Sequence, residues 1–234
     1  MTSTETRQRR IRVFTDFDGT ISTQDVGATL FNRFAGDRNR GTVILWIKQK
    51  ITSRECLLRE CRYIDAGREE MEVAAQQIGM KPGFREFVEL LQGSSIPLHV
   101  CSDGLDFYID AFFRQHGFDN LDIHSNVALW LDGQVYPEFP HFNQGCGFCG
   151  TCKGERVRAL SQPDELKVYI GDGFSDRCAL EAADLIFARD DLAKLCEEKG
   201  VDYRKFADFY DVIEFFDSKL LPKSRQMPTG LEEQ

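Results

Sequence analysis

Residues 12–21, RVFTDFDGTI, constrain the fold of this chain more than any other stretch. The apolar residues Val13 and Phe14 favour a buried strand, and two carboxylates, Asp16 and Asp18, follow it one residue apart. Gly19 then permits a tight turn or the close approach of a ligand. Because ligands of open α/β sheets bind at the carboxyl ends of the strands, the pattern predicts an acidic site at a sheet edge.

The size and charge of the chain limit its class of function. Its 234 residues are enough for one core with a smaller inserted domain. The formal net charge of −9 disfavours a nucleic acid or an anionic membrane as partner, but it does not exclude a small anionic substrate beside a local cation. No apolar stretch approaches a membrane span, and the N-terminus lacks a signal core, so eight cysteines indicate a reducing, cytoplasmic setting. The sequence leaves the oligomeric state open.

Hydrophobic periodicity predicts two kinds of structure along the chain. Residues 22–79 carry apolar residues at three- and four-residue spacings, which indicates a run of helices placed as a cap over the ligand edge. Strands and helices then alternate, with a hairpin over residues 121–140 and helices over 175–183 and 206–221 among them. The predicted fold is a doubly wound, Rossmann-like α/β core with an inserted all-helical cap. Its divisions are residues 1–21 and 80–221 for the core, 22–79 for the cap and 222–234 for a polar tail.

Three predicted strands end in polar, glycine-containing turns, DFDGT, SDG and GDGFSD, and Lys153 precedes a short helix. Asp16 can act as a nucleophile, as in aspartyl-phosphate enzymes, while Asp18 serves as general acid and base. A carboxylate about 4 Å from an anionic phosphate costs about 4 kcal/mol at an effective dielectric near 20. The pair therefore predicts a Mg²⁺, with Asp172 and Asp176 as oxygen ligands, and a second cation, Lys153.

Phosphate donors are expected on the second of these turns. Ser102, with the amides of the turn at Asp103 and Gly104, can bind phosphate oxygens. Taken singly, each residue has an ordinary explanation, since Lys153 suits a solvated surface and Ser102, Asp103 or Asp176 can cap a helix. Their joint order along the chain favours the catalytic interpretation.

In that order the four segments resemble the motifs of the haloacid dehalogenase-like superfamily of phosphotransferases. The resemblance implies that Asp16 is the nucleophile and that Asp18 is the acid and base of a phosphatase. It also implies a Mg²⁺ held by the side chains of Asp16 and Asp172 and by the Asp18 carbonyl, with Asp176 in support. A helical insert between the first two motifs matches the phosphoserine phosphatase-like branch.

The implied substrate is a small phosphorylated metabolite. The run FARDDLAKLCEEKGVDY and the cysteine-rich stretch resemble the methionine-salvage phosphatases, which act on 2-hydroxy-3-keto-5-methylthiopentenyl 1-phosphate. Phosphoethanolamine/phosphocholine and phosphoserine phosphatases are alternatives: SDG favours the former, and Asp25, where phosphoserine phosphatase carries Glu, disfavours the latter. A phosphotransferase or mutase with the same core, and a non-catalytic phosphate-binding protein, are alternatives of another class.

A cysteine-rich stretch directly before Lys153 has the spacing of a structural metal site. His141, Cys146, Cys149 and Cys152 form H-x4-C-x2-C-x2-C, and steps of this length are typical of zinc ligands. Reduced thiols in a glycine-rich loop fit the pattern equally well. The remaining cysteines are expected in the core; they are Cys56, Cys61, Cys101, Cys178 and Cys196.

Overall fold

One mostly parallel sheet organises the chain in the computed structural model, which describes residues 9–221. Within that range its seven strands are β1 (Ile11–Thr15), β2 (Leu98–Leu105), β3 (Asp122–Leu131), β4 (Gln134–Glu138), β5 (Leu166–Gly171), β6 (Leu185–Ala188) and β7 (Arg204–Lys205). They are ordered β4-β3-β2-β1-β5-β6-β7, and only β4 runs antiparallel to its neighbour. The predicted doubly wound α/β fold is confirmed.

Helices flank this sheet and fill the interval between the first two motifs. Over the same residues they are α1 (Val26–Ala35), α2 (Asp37–Ile47), α3 (Ser53–Tyr63), α4 (Arg68–Gln76), α5 (Phe84–Gly93), α6 (Asp106–Gln115), α7 (Lys153–Leu160), α8 (Asp190–Lys199) and α9 (Phe209–Phe215). The segment between β1 and α5 is thus helical, while its division from the core as a cap stays a prediction. The tail predicted at 222–234 lies outside the described residues. No helix within residues 9–221 is long and apolar enough to cross a membrane.

The position of β1 explains its apolar sequence. It pairs in parallel with β2 on one side and β5 on the other, so it is a central strand with both edges hydrogen-bonded. Alternate side chains point to opposite faces: Val13 joins the larger core, whereas Phe14 packs in a second core with Val157 and Leu192. Both side chains are fully buried, which fixes where the acids that follow β1 emerge.

The predicted hairpin is also confirmed. Strands β3 and β4 pair antiparallel and are joined at Asp132 and Gly133. Both turn residues have positive φ, 49° and 77°, as a two-residue type I′ turn requires. The Asp-Gly dipeptide is therefore what closes this hairpin.

Two predicted helices differ from those observed. The helix expected over 175–183 is only a 3₁₀ turn, Phe174–Cys178, because the carboxylate of Asp176 binds the amides of Asp172 and Gly173 and draws the turn back on itself. The helix expected over 206–221 begins at Phe209 and ends in a π-helical turn, Phe216–Leu220. Asp208 caps its first turn by accepting a hydrogen bond from the Tyr210 amide.

Candidate active site

The three polar turns converge on one cavity at the carboxyl edge of the sheet. Because β1 lies between β2 and β5, the turns after all three strands are adjacent, at the point where the strand order reverses. A cavity of about 500 Å³ opens there, lined by these turns and by residues of α1, α2 and α3. This is the size and placement of a small-molecule site.

Lys153 lies at the centre of this cluster. Its Nζ donates to Asp16 Oδ1 and Asp176 Oδ1, each at 2.6 Å, and to Ser175 Oγ at 3.0 Å. Only 1% of its side chain is exposed. Burial by itself lowers the pKa of Lys153, but the charges of Asp16 and Asp176 outweigh burial and hold that pKa well above its ordinary value. The solvated-lysine explanation is therefore wrong: this cation is fixed against the acid after β1.

Asp176 is held by hydrogen bonds to both of its oxygens. Besides Lys153, its Oδ1 accepts from the Tyr169 hydroxyl at 2.6 Å, and its Oδ2 accepts from the amides of Asp172 and Gly173 at 3.0 Å each. The side chain is fully buried. These bonds fix the direction of its carboxylate and of the turn that carries Asp172.

A set of three carboxylates has the composition of a hard-metal site. Oxygens of Asp16, Asp172 and Asp176 lie within 4.8 Å of one another, and Thr20 Oγ1 orients Asp172 by donating to its Oδ1 at 2.6 Å. Burial, and then the charge of Asp176, raise the pKa of Asp172 to about 6. Oxygen donors crowded at this edge fit Mg²⁺, whose charge would offset the repulsion among them.

Asp18 lies in the turn after β1 and lines the cavity, with its carboxylate at the start of α1. Its Oδ1 accepts from the amides of Val26 and Gly27 at 2.8 and 3.1 Å, and its Oδ2 accepts from Ser102 Oγ at 3.3 Å. Burial, with the nearby charge of Asp25, raises the pKa of Asp18 to about 8. The second acid of the motif can thus carry a proton near neutral pH, while the first is paired with a lysine.

The second turn divides into residues with different contacts. Ser102 is fully buried, and its Oγ accepts from the Gly104 amide at 3.0 Å while donating to Asp18. The carboxylate of Asp103 instead accepts from the Thr151 amide at 2.8 Å and from Asn126 Nδ2 at 3.3 Å. Asp103 therefore ties down the loop that leads to Lys153, and the residue also lines the cavity.

Sequence reasoning missed several residues around the two acids. Arg189 donates to the Gly19 carbonyl and lies 3.8 Å from Asp172 Oδ2. Arg189 directly follows β6, and its position after a strand of the same sheet is the sequence signal that could have identified it. Tyr108 was hidden within an apolar helix pattern, yet its hydroxyl lies where a Cβ at Gly104 would fall. That contact explains the glycine in SDG.

The cysteine-rich loop is organised differently from its sequence pattern. Sulfurs of Cys146, Cys149 and Cys178 lie within 4.8 Å of one another, although Cys178 was expected in the core. His141, the predicted fourth ligand, does not join this group, and its ring instead packs against that of His124 with centroids 5.4 Å apart. The core assignment of Cys178 was wrong because the 3₁₀ turn directs it towards the loop. All eight cysteines are free.

Comparison with known proteins places this site in a family. A model of the haloacid dehalogenase-like hydrolase family matches residues 13–181. The chain is 32% identical over 212 residues to 2-hydroxy-3-keto-5-methylthiopentenyl-1-phosphate phosphatase of Bacillus mycoides (strain KBAB4), covering 87% of this chain and 94% of that relative. It is 31% identical over 231 residues to the bifunctional enzyme MtnB/MtnX of Bacillus licheniformis. That match covers 97% of this chain and 52% of the bifunctional protein, so the chain spans about half of it.

The fold has a solved counterpart as well. A structure of phosphoserine phosphatase with an analogue of its phospho-aspartyl intermediate has a TM-score of 0.69 to this chain. The two are 19% identical, over 89% of this chain and 99% of the other, a likeness that shows the shared fold. With the family match over most of its length and a phosphatase relative above 30% identity, the chain belongs to the haloacid dehalogenase-like hydrolases and is a phosphatase.

Proposed function

We propose that this protein is a Mg²⁺-dependent phosphomonoester hydrolase that works through an aspartyl-phosphate on Asp16. Its proposed substrate is 2-hydroxy-3-keto-5-methylthiopentenyl 1-phosphate, in methionine salvage. The observation that carries the mechanism is Lys153, a buried cation held 2.6 Å from Asp16 at the edge of a small-molecule cavity. Its eight free cysteines suit the reducing cytoplasm in which such a metabolite would be processed.

The first half of the reaction forms the phosphoenzyme. An oxygen of Asp16 attacks phosphorus, the bond to the leaving oxygen breaks, and Asp18 gives that oxygen its proton. Lys153 offsets the charge of Asp16, while Ser102 and the amides beside it hold phosphate oxygens. A Mg²⁺ held by Asp16, Asp172 and the Asp18 carbonyl, and supported by Asp176, would supply positive charge to the phosphoryl group.

The second half releases phosphate. Asp18, now ionised, removes a proton from a water that attacks phosphorus, and the bond to Asp16 breaks. The amides of Val26 and Gly27 and the hydroxyl of Ser102 bind the Asp18 carboxylate and stabilise its charged form at this stage. Asp16 and Lys153 then return to their ion pair.

The choice of substrate rests on the relatives and on the helical side of the cavity. The Bacillus relative is named for this substrate, and the cavity presents apolar side chains where a methylthio end would lie. These side chains come from α1, α2 and α3; they are Phe31, Val43, Trp46 and Leu57. Among the described residues that line the cavity, the cations are Lys153 and Arg189, both at the sheet edge. The described residues on the helical side of the cavity thus offer no cation to the carboxylate of phosphoserine.

One observation favours phosphoethanolamine or phosphocholine as a second candidate. Asp25 and Glu60 line the same helical side beside Phe31 and Trp46. Carboxylates next to aromatic faces are suited to an ammonium group. Burial raises the pKa of Glu60 to about 7, so this acid is partly charged at neutral pH.

A panel of phosphate-release assays tests the proposal. The substrates are 2-hydroxy-3-keto-5-methylthiopentenyl 1-phosphate, phosphoethanolamine, phosphocholine, phosphoserine and 4-nitrophenyl phosphate, each with Mg²⁺. We expect the highest kcat/KM for the first, and no hydrolysis of any by Asp16→Asn. Asp119→Asn, an exposed acid in the loop before β3, is the matched control and should keep full activity. A higher kcat/KM for phosphocholine would transfer the assignment to the second candidate, and an active Asp16→Asn would rule out the covalent mechanism.

A further inference from the structure

We infer that Cys146, Cys149, Cys152 and Cys178 form a structural zinc site, distinct from the magnesium site. Three of these cysteines belong to the loop before α7, and the fourth ends the 3₁₀ turn after β5. The site thus joins two segments that are 26 or more residues apart in sequence. Its ligands differ from those of the sequence pattern, because Cys178 takes the place of His141.

Two of the distances between sulfurs agree with tetrahedral coordination. Four thiolates about 2.3 Å from one zinc ion lie about 3.8 Å from each other. The sulfur of Cys146 is 3.8 Å from that of Cys149 and 3.6 Å from that of Cys178. A disulfide requires about 2.05 Å, so none of these pairs is bonded.

Cys178 is the residue that completes the set. Its sulfur interacts with those of Cys149, Cys152 and Cys146, and Cys152 in turn interacts with Cys178 and Cys146. The sulfurs of Cys146, Cys149 and Cys178 lie within 4.8 Å of one another, whereas that of Cys152 lies outside this group and interacts with Cys146 and Cys178. As the proposed fourth donor, Cys152 would complete the set by moving towards Cys149 when zinc binds. A set of four soft donors without carboxylates selects zinc over magnesium.

The surroundings suit the negative charge of a zinc tetrathiolate. Cys152 is the N-cap of α7, so the positive end of this helix lies at that residue. Arg177, next to Cys178, stacks 3.7 Å from the ring centre of Phe148, which lies between Cys146 and Cys149 in the chain. Its Nη1 is buried without a hydrogen-bond partner.

Zinc at this site would hold Lys153 and Asp176, which form an ion pair, in their relative positions. Lys153 follows Cys152 directly, and Asp176 precedes Cys178 by two residues. The two segments are already packed so closely that a Cβ on Gly154 would overlap the Cys178 carbonyl. Zinc bridging them would fix the approach of Lys153 to Asp176 without touching substrate.

Metal analysis of purified protein tests this inference. Protein made in zinc-containing medium and purified under reducing conditions, with no metal added, should hold about one zinc per chain by elemental mass spectrometry. Cys178→Ser should lose at least about nine-tenths of that zinc. Cys196→Ser removes a buried cysteine outside the cluster and His141→Ala removes the alternative ligand, and both should keep it.

A cobalt titration of metal-free wild-type protein gives an independent readout that does not depend on the folding of a variant. Co²⁺ bound by four thiolates should produce intense thiolate-to-metal absorption with a stoichiometry of one, and Zn²⁺ should abolish it. Excess Mg²⁺ should leave it unchanged. Wild-type protein with less than about a tenth of a zinc per chain and no thiolate band would overturn the site. Loss of zinc in His141→Ala with retention in Cys178→Ser would overturn the ligand set.

Discussion

Lys153 owes its position to two acids rather than to an apolar environment. A lysine buried without a partner would lose its proton, whereas this ammonium group is paired twice at 2.6 Å. The same contacts make it costly to remove, because Asp16 and Asp176 would be left facing each other. We therefore expect both catalysis and folding to depend on this one cation.

Lys153→Met tests this dual role. We expect kcat to fall by about 10³-fold or more, because the charge that offsets the nucleophile is lost. The free energy of unfolding should fall by about 3 kcal/mol, since two buried carboxylates lose their partner. Steady-state kinetics and urea denaturation measure the two effects. A kcat within tenfold of wild type would contradict the role of Lys153.

Asp18→Asn separates proton transfer from a merely structural contribution of Asp18. The amide keeps the size of the side chain but cannot protonate a leaving oxygen. We expect kcat to fall by about 10³-fold for an alkyl phosphate but markedly less for 4-nitrophenyl phosphate, whose leaving group needs no proton. An equal loss with both substrates would show that Asp18 is not the general acid.

At this scale the sequence identifies residues whose chemistry is tied to a strand end. Asp16, Asp18 and Asp172 could be located because each lies in the turn that follows an apolar strand. Arg189 and Cys178 could not, since an arginine after a short strand and a cysteine in a helix-like pattern are common without function. What distinguishes them is contact across the sheet edge, which requires the fold.

Among the elements, β1 and β5 are linked by side chains near their N-terminal ends as well as at the C-terminal ends that carry the candidate site. Arg12 donates to both oxygens of Glu165, at 2.7 and 3.0 Å, and only 3% of the glutamate side chain is exposed. The hydrogen bonds from Arg12 lower the pKa of Glu165 to about 2. This pair aligns the two strands whose other ends carry Asp16 and Asp172.

Glu165→Gln should change the acid stability of the fold. A carboxyl group whose pKa falls on folding stabilises the native state above its unfolded pKa, near 4.5, and this contribution is lost as the pH falls towards 2. We expect the variant to be about 2 kcal/mol less stable at pH 7 and to differ little from wild type near pH 2. Urea denaturation across this range measures both.

The control for Glu165 is Asp164→Asn. Asp164 pairs with Arg10 at 3.3 Å, but the two side chains are 64% and 66% exposed. Its loss should therefore cost less than about 0.5 kcal/mol at any pH. Equal destabilisation by the two variants would show that burial of Glu165 does not set the effect.

Elements were predictable where local pattern and tertiary packing agree. The Asp-Gly hairpin turn and the apolar β1 are cases in which sequence alone dictates conformation. The helix expected over 175–183 is the opposite case, because the hydrogen bonds that Asp176 accepts from preceding amides override helical periodicity. The spacing of hydrophobic residues cannot predict that a side chain will accept hydrogen bonds from the backbone of its own turn.

For the molecule as a whole, the proposed catalytic residues lie at the edge of the sheet, while helices α1, α2 and α3 form the opposite wall of the cavity. Residues of α1, α2 and α3 face the catalytic turns across about 500 Å³. The order of strands and helices predicted the sheet and its functional edge. The wall was not predictable, since apolar side chains of an amphipathic helix can face either a core or a substrate.

Metal removal tests the whole site together. Desalting that removes weakly held metal but leaves the bound zinc should reduce phosphate release to background, and Mg²⁺ should restore it, because Asp16, Asp172 and the phosphoryl group otherwise repel. Circular dichroism should show that the protein stays folded without Mg²⁺. Full activity in metal-depleted protein would contradict the magnesium proposal.

The central claim is that Asp16 carries the phosphoryl group, and chemical trapping addresses it most directly. Protein quenched during turnover of the substrate would be denatured and treated with hydroxylamine, which converts an aspartyl phosphate into a hydroxamate. Peptide mass spectrometry should then find the hydroxamate at Asp16, only with substrate present and not in Asp16→Asn. Modification at Asp18 instead, or unmodified Asp16 in protein quenched during rapid turnover, would contradict the account.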